Sequence, residues 1–385
     1  MSVNCLSPFI RPARAAAIAV VLAPLIHGCA AHHPSAERRS APAEVTLRPA
    51  PSEIPLSEQS ADSALIRTAA IIVRAAPKIK AVWPGYWPAD QAFFLTRPDE
   101  AVLLVSSIAP PPEFEPLVGP GVPRELRGIT YLRRSLPADL AQSGGFHLAY
   151  KAGDVTAPAV PLQDSIFPTL SFLYHEVFHP YQFRKFKDIF ARVPPADSAR
   201  VSTPKFIAMA EVERRILSAA LDAPSPDSLR LLLRQYLAVR AYRPDMNSEA
   251  QAVECRTERA EGSARLVGYQ AALLALGEDP DRVRNLLRHD LTRPLESFSA
   301  RPGPNAPLMR WRLYGTGAAL GYLLDRIEYD WRVQLEQGVP LDELLSRALA
   351  FDPTKAAYEA PGLAASALVR FGWSELLDRY ASASR

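Results

Sequence analysis

Cysteine is nearly absent from this 385-residue sequence, which has only Cys5, Cys29 and Cys255. Without a framework of paired thiols, any folded part must be held by its core. Charge of one sign is also missing. Lys and Arg number 44 against 41 Asp and Glu, for a formal net charge of +3. No Lys/Arg run interrupts that balance. A nucleic-acid partner, which calls for a concentrated basic face, is therefore not expected. Apolar runs long enough to span a bilayer, about 20 residues, are lacking too. No repeat of solenoid length recurs.

What is present is apolar bulk and proline. Hydrophobic residues make up 48% of the chain, enough to bury a sizeable core. The 37 prolines are dispersed, as expected of rigid loops and helix starts rather than a low-complexity tract.

The first 29 residues read as an export signal. Arg11 and Arg14 precede an apolar run from Ala15 to Ile26 that is broken by Pro24. The run ends in Ile26-His27-Gly28-Cys29, which resembles a bacterial lipobox, with Cys29 as the lipidated new N-terminus. Cleavage after Ala31 is the competing reading. The expected location is the periplasmic face of the outer membrane as a lipoprotein, or else the soluble periplasm. Residues 30–60, rich in Pro, Ala, Ser and charge, read as a flexible tether. Oligomeric state is not encoded legibly.

Beyond the tether two regions are expected. Residues 61–163 form a β-containing N-terminal part, and residues 164–385 a mostly helical one, an α+β layout. Ala61–Arg74 has helical periodicity. Gln91–Thr96 and Ala101–Ser106 flank a turn-like Arg97-Pro98-Asp99-Glu100 and predict a hairpin. Gly128–Leu132 and Phe146–Tyr150 are further strand candidates. Thr203-Pro204, Ser225-Pro226 and Asp279-Pro280 mark helix starts. Ser248 with Gln251 opens a helix expected to stop near Gly277. Leu308–Leu335 and Leu341–Leu349 complete the helical set.

The chemistry concentrates in Leu173-Tyr174-His175-Glu176-Val177-Phe178-His179, an H-E-x-x-H motif in a helical stretch. Positions i and i+4 share a helix face, so both imidazoles can reach one Zn²⁺ while Glu176 stands beside them as a general base. A catalytic zinc takes three protein ligands and keeps one position open. No His follows at the spacing of the longer H-E-x-x-H-x-x-G-x-x-H pattern. The third ligand is sought on the helix around Glu258 and Glu261, which lie three apart and can share a face. Arg256, Arg259 and Arg265 are alternative partners for those acids.

Glu261-Gly262-Ser263-Ala264 resembles the E-G-x-A element of the gluzincin metallopeptidases, and Tyr314-Gly315-Thr316-Gly317 is similar to the Y-x-K-G element of their aminopeptidase branch. The resemblance implies a zincin-like fold and a zinc-dependent peptidase acting on peptide or protein substrates. It makes Glu261 the third ligand, and Glu258 either a residue holding a ligand imidazole or the alternative ligand. It makes Tyr314 the donor to the oxyanion and has Gly262 let the two zinc-binding helices approach. His289, in the helical stretch ending Arg288-His289-Asp290, is an alternative donor or a plain surface histidine. Ala260 stands where that branch has Asn, and Thr316 where it has Lys. Its G-x-M-E-N element is absent, which argues against simple aminopeptidase activity. A zinc-binding but non-proteolytic envelope scaffold is the alternative, and the intact Glu176 disfavours it. A zinc hydrolase of non-peptide substrates would use the same residues.

The lipobox generates a direct expectation. Cys29→Ser blocks metabolic lipid labelling and moves the protein from the membrane to the soluble periplasmic fraction. Unchanged membrane partition would favour another anchor.

Overall fold

A computed structural model describes residues 61–87, 91–97, 102–110, 114–133, 149–152, 155–189, 203–243, 248–295 and 307–383. Cys29, the tether and the stretch from Phe146 to Leu148 lie outside these residues. The described chain is mixed α and β, mostly helical with one small sheet.

Helix α1 (Ala61–Ile79) comes first, longer than its periodicity predicts because it runs through Pro77. Leu65, Ala69, Ile72 and Ile79 recur on one face and are fully buried. The strands follow: β1 (Phe93–Thr96), β2 (Val102–Val105), β3 (Glu115–Pro116), β4 (Thr130–Arg133), β5 (Ala149–Ala152) and β6 (Val155–Pro161). They form one sheet in the order β3-β4-β2-β1-β6-β5. The expected hairpin is present, with Phe93 opposite Val105 and Thr96 opposite Val102. β6 joins β1 in parallel, and all other pairs are antiparallel.

The sheet works by two-residue alternation. Phe93, Leu95, Leu103, Val105 and Val160 face the main core, where α1 and α2 (Ile166–Lys185) lie. Phe94, Leu104, Ala157 and Ala159 point the other way, into a small satellite cluster with Phe114. β6 has no counterpart among the sequence expectations, because Pro158 and Pro161 demote a strand pattern. It runs beside β1 nonetheless, and α2 begins five residues after it.

The remaining helices are α3 (Pro204–Leu221), α4 (Pro226–Ala241), α5 (Ser248–Thr257), α6 (Ser263–Leu276), α7 (Arg282–Thr292), α8 (Pro307–Arg326), α9 (Arg332–Glu336), α10 (Leu341–Ala348), α11 (Glu359–Arg370) and α12 (Trp373–Ala383). Thr203 caps α3 by accepting from Phe206 N–H, and Ser225 with Ser228 closes a capping box on α4. Gly277 ends α6 at φ 68°, as the sequence predicts. Among the described residues no helix is long and apolar enough to cross a membrane.

One element departs from expectation. Between α5 and α6 the helix does not run on evenly, because Glu258–Gly262 form a π-helical turn. Such turns insert one residue into an α-helix and recur at functional sites.

Two glycines set helix separations here. A Cβ on Gly262 would fall 2.5 Å from Gly317 Cα, and one on Gly317 would fall 2.6 Å from Glu258 O. Gly262 thus brings the π turn onto α8 and not onto α2, contrary to the sequence expectation. The contact between α2 and α6 belongs to Gly268, where a Cβ would fall 2.5 Å from Ser171 O and 3.3 Å from His175 Cβ. Gly317→Ala is therefore expected to lower stability by about 1–3 kcal/mol, the usual cost of overpacking. Gly362→Ala, in α11 with open space around it, is expected to raise stability by about 0.4–1 kcal/mol. Urea titrations of both variants check the contrast.

Candidate metal centre

Helix α2 is buried along most of its length, which explains its aromatic content. Leu173, Tyr174, Val177 and Phe178 are fully buried, and Tyr181 nearly so. An aromatic group braces it from behind. Trp83 packs edge-on against Phe178 and Trp331, and its Nε1–H donates to Glu336 Oε1 at 2.8 Å. Tyr181 Oη donates to the same oxygen at 2.7 Å, and Tyr86 Oη donates to Tyr174 O at 2.9 Å. The helix is thereby fixed with one face against the core. Arg184 and Lys185 occupy its last turn, where positive charge suits the C-terminal end of the dipole.

His175, Glu176 and His179 form the metal-capable cluster found among the described residues. The π turn adds Glu261. His175 Nε2 and His179 Nε2 lie 3.2 Å apart, and Glu261 Oε2 is 3.3 Å from the first and 3.5 Å from the second. Three atoms of the right kind therefore make a nearly equilateral triangle. Ligands about 2.0–2.1 Å from a tetrahedral zinc stand about 3.3–3.4 Å apart. The donor set, two imidazole nitrogens and one carboxylate oxygen, also suits that ion. The residues present fit a zinc ion.

Glu176 completes the group from α2 itself, with Oε1 3.6 Å from His175 Nε2. Both side chains are only 6% exposed, so the imidazole and the carboxylate meet in a poorly solvated place. Burial pushes the His175 imidazole below its usual range, against the pull of Glu261 and Glu176. At His179 burial also lowers the pKa, but the hydrogen bond and charge of Glu261 lead a group of influences that outweigh it and push it up to about 9. His179 Nδ1 lies 2.8 Å from Gln182 Oε1.

Tyr314 belongs to the same neighbourhood. Its ring is nearly parallel to that of His175, at 9° and 5.8 Å between centroids. It is buried, with the Trp311 ring tilted against it at 5.1 Å between centroids. His289 lies exposed on α7.

Glu258 is the correction. Its carboxylate does not hold a ligand imidazole and does not join the triangle. Arg240 of α4 grips it with two hydrogen bonds, of 3.0 and 2.7 Å, and Thr316 Oγ1 of α8 donates to it at 3.0 Å. The reason is the π turn. An i→i+5 turn widens the angle between positions three apart, so Glu258 and Glu261 leave the helix in different directions. Thr316, standing where the resembled family has Lys, serves this bond. Of the arginines weighed as partners of these acids, Arg259 donates to Lys187 O and Leu335 O, and Arg265 binds Asp290.

Glu258 is one member of a buried charge network that sequence reasoning missed. Arg243 makes paired bonds of 3.0 and 2.7 Å to Glu254 and one of 3.0 Å to Glu213. Arg312 also binds Glu254, and Arg240 Nε reaches Asp342 Oδ2 at 3.0 Å. Scattered arginines give no periodic signal, so nothing in the sequence joins α3, α4, α5, α8 and α10 in this way. Gln182 was missed as well, although H-x-x-Q places it on the His179 face of the helix.

Comparison of the chain with protein-family models, curated proteins and solved structures finds no match to any of them.

The network predicts a large energetic effect away from the triangle. Arg240→Leu removes the cation that bonds the buried Glu258 carboxylate directly, and the expected loss is about 3–5 kcal/mol in denaturant-unfolding free energy. A loss below about 1 kcal/mol would mean that Glu258 is hydrated or neutral in the folded protein.

Proposed function

We propose that the protein is an exported zinc-dependent peptidase with a zincin-like catalytic domain. His175, His179 and Glu261 hold the ion. The observation that carries this reading is the triangle of Nε2, Nε2 and Oε2 atoms with edges of 3.2, 3.3 and 3.5 Å, drawn from two helices and set beside Glu176.

The zinc, when bound, supplies Lewis acidity toward a carbonyl oxygen and toward water. The chain supplies the rest. Glu176 takes a proton from the attacking water and delivers it to the departing amine. A metal held for scaffolding alone has no use for such a base. Tyr314 donates its phenolic proton to the oxyanion that develops at the scissile carbonyl. Its ring, flat against His175, supports a place beside the reacting centre. Burial of His175 and Glu176 supports a site where these interactions are not screened by water. Lipidation at Cys29 sets this chemistry at the periplasmic face of the outer membrane.

Purified protein is expected to carry about one zinc per chain. His175→Ala and His179→Ala lose it, and full zinc in both variants would end the reading. Against any cleaved peptide, Glu176→Gln lowers kcat by ~10²–10⁴ and Tyr314→Phe by ~10²–10³, with little change in KM. A Tyr314→Phe enzyme of normal kcat would leave Tyr314 a packing residue only.

A further inference from the structure

The triangle is assembled from two pieces of chain, the histidines from α2 and Glu261 from the π turn. One buried side chain touches both pieces. Gln182, with no exposed surface, lies on α2 three residues beyond His179. Its Oε1 is 2.8 Å from His179 Nδ1. Its Nε2 donates to Ala260 O at 2.8 Å and to Ser263 Oγ at 2.9 Å. Ala260 immediately precedes Glu261, and Ser263 follows it by two.

The direction of this amide is forced. A backbone carbonyl only accepts, so the NH₂ end has to face Ala260 O. Ser263 Oγ donates its own hydrogen to Arg259 O at 2.5 Å, so toward Gln182 it also accepts. The carbonyl end is left for His179, and Nδ1 has to carry a proton to meet it. Nε2 is then the nitrogen that turns to Glu261 and His175, which is the arrangement a ligating imidazole needs.

We infer that Gln182 is the positioning residue of the metal centre. One end of its amide fixes the tautomer and ring orientation of His179. The other end ties the turn that carries Glu261 to the helix that carries both histidines. The inference rests on the zinc-binding reading above.

The two ends can be separated by substitution. Gln182→Met keeps the length and removes both. Gln182→Glu keeps an acceptor for His179 Nδ1 but offers Ala260 O no amide hydrogen. Zinc affinity is measured by competition with a chromogenic chelator, and the visible spectrum of the Co²⁺-substituted protein reports ligand geometry. Gln182→Met is expected to weaken zinc binding ~10–100-fold, the usual effect of removing a partner behind a ligand. Its Co²⁺ bands are expected to change in position and intensity. Gln182→Glu is expected to recover part of the affinity, which loss of packing alone would not produce. If Gln182→Met does not fold by circular dichroism, Ser263→Ala carries the test, with a several-fold weaker affinity expected. Wild-type affinity and an unchanged Co²⁺ spectrum in a folded Gln182→Met protein, or wild-type affinity in Ser263→Ala when that variant carries the test, would overturn the inference. Failure of the wild-type protein itself to bind zinc would instead overturn the reading beneath it.

Discussion

The π turn Glu258–Gly262 is held by several other helices, and contacts from three of them fix three of its residues. Arg240 of α4 holds its first residue through a two-pronged ion pair. Gln182 of α2 holds the carbonyl of Ala260. Gly317 of α8 meets Gly262 backbone to backbone, with no room for a Cβ on either. Between these fixed points stands Glu261, whose oxygen closes the triangle with His175 and His179. The extra residue of the π turn is what allows this. In an even α-helix Glu258 and Glu261 would lie on one face, and the carboxylate bound to Arg240 would compete for the place of the carboxylate facing the imidazoles.

That arrangement joins electrostatics to packing. Arg240, Arg243 and Arg312 and the carboxylates of Glu213, Glu254 and Glu258 are almost wholly excluded from solvent. Burying so many charges is costly unless each is paired and hydrogen-bonded, and a hydrophobic core of the same volume would be at least as stable. What the network provides is direction. It connects α3, α4, α5 and α8 through directional hydrogen bonds, and through Glu258 it holds the first residue of the π turn. On the opposite side α2 is pressed into place by rings, with Trp83, Tyr86, Phe178 and Tyr181 in mutual contact and Glu336 accepting from two of them. The polar network holds the turn that carries Glu261, and the aromatic brace holds the helix that carries both histidines.

Much of the scaffold is legible in the sequence, since its signals are local. The β1–β2 hairpin, the caps at Thr203 and Ser225 and the stop at Gly277 each depend on a few neighbouring residues, and each is found where expected. His175, Glu176 and His179 are legible for the same reason, because a one-turn spacing puts both imidazoles on one face. The rest was hidden because it depends on distance. β6 contains prolines that argue against a strand, and only the neighbouring β1 and β5 make it one. The fate of Glu258 was set by Arg240, eighteen residues earlier, and Thr316, fifty-eight later. The role of Gly262 went to Gly268 because a π turn cannot be read from residue types. Gln182 lay in plain view beside the motif, but its meaning depends on where Ala260 and Ser263 fold back against it.

Under the proposed function, one zinc ion is held by two imidazole nitrogens of α2 and one carboxylate oxygen of the π turn. X-ray absorption at the zinc edge of the purified protein, compared with Glu261→Ala, tests it most directly. The expected spectrum has a first shell of two nitrogens and at least one oxygen at ~2.0–2.2 Å, with imidazole outer-shell scattering, and a protein carboxylate contribution that disappears with Glu261. A shell containing sulfur, a single imidazole, or a spectrum unchanged by Glu261→Ala would contradict it.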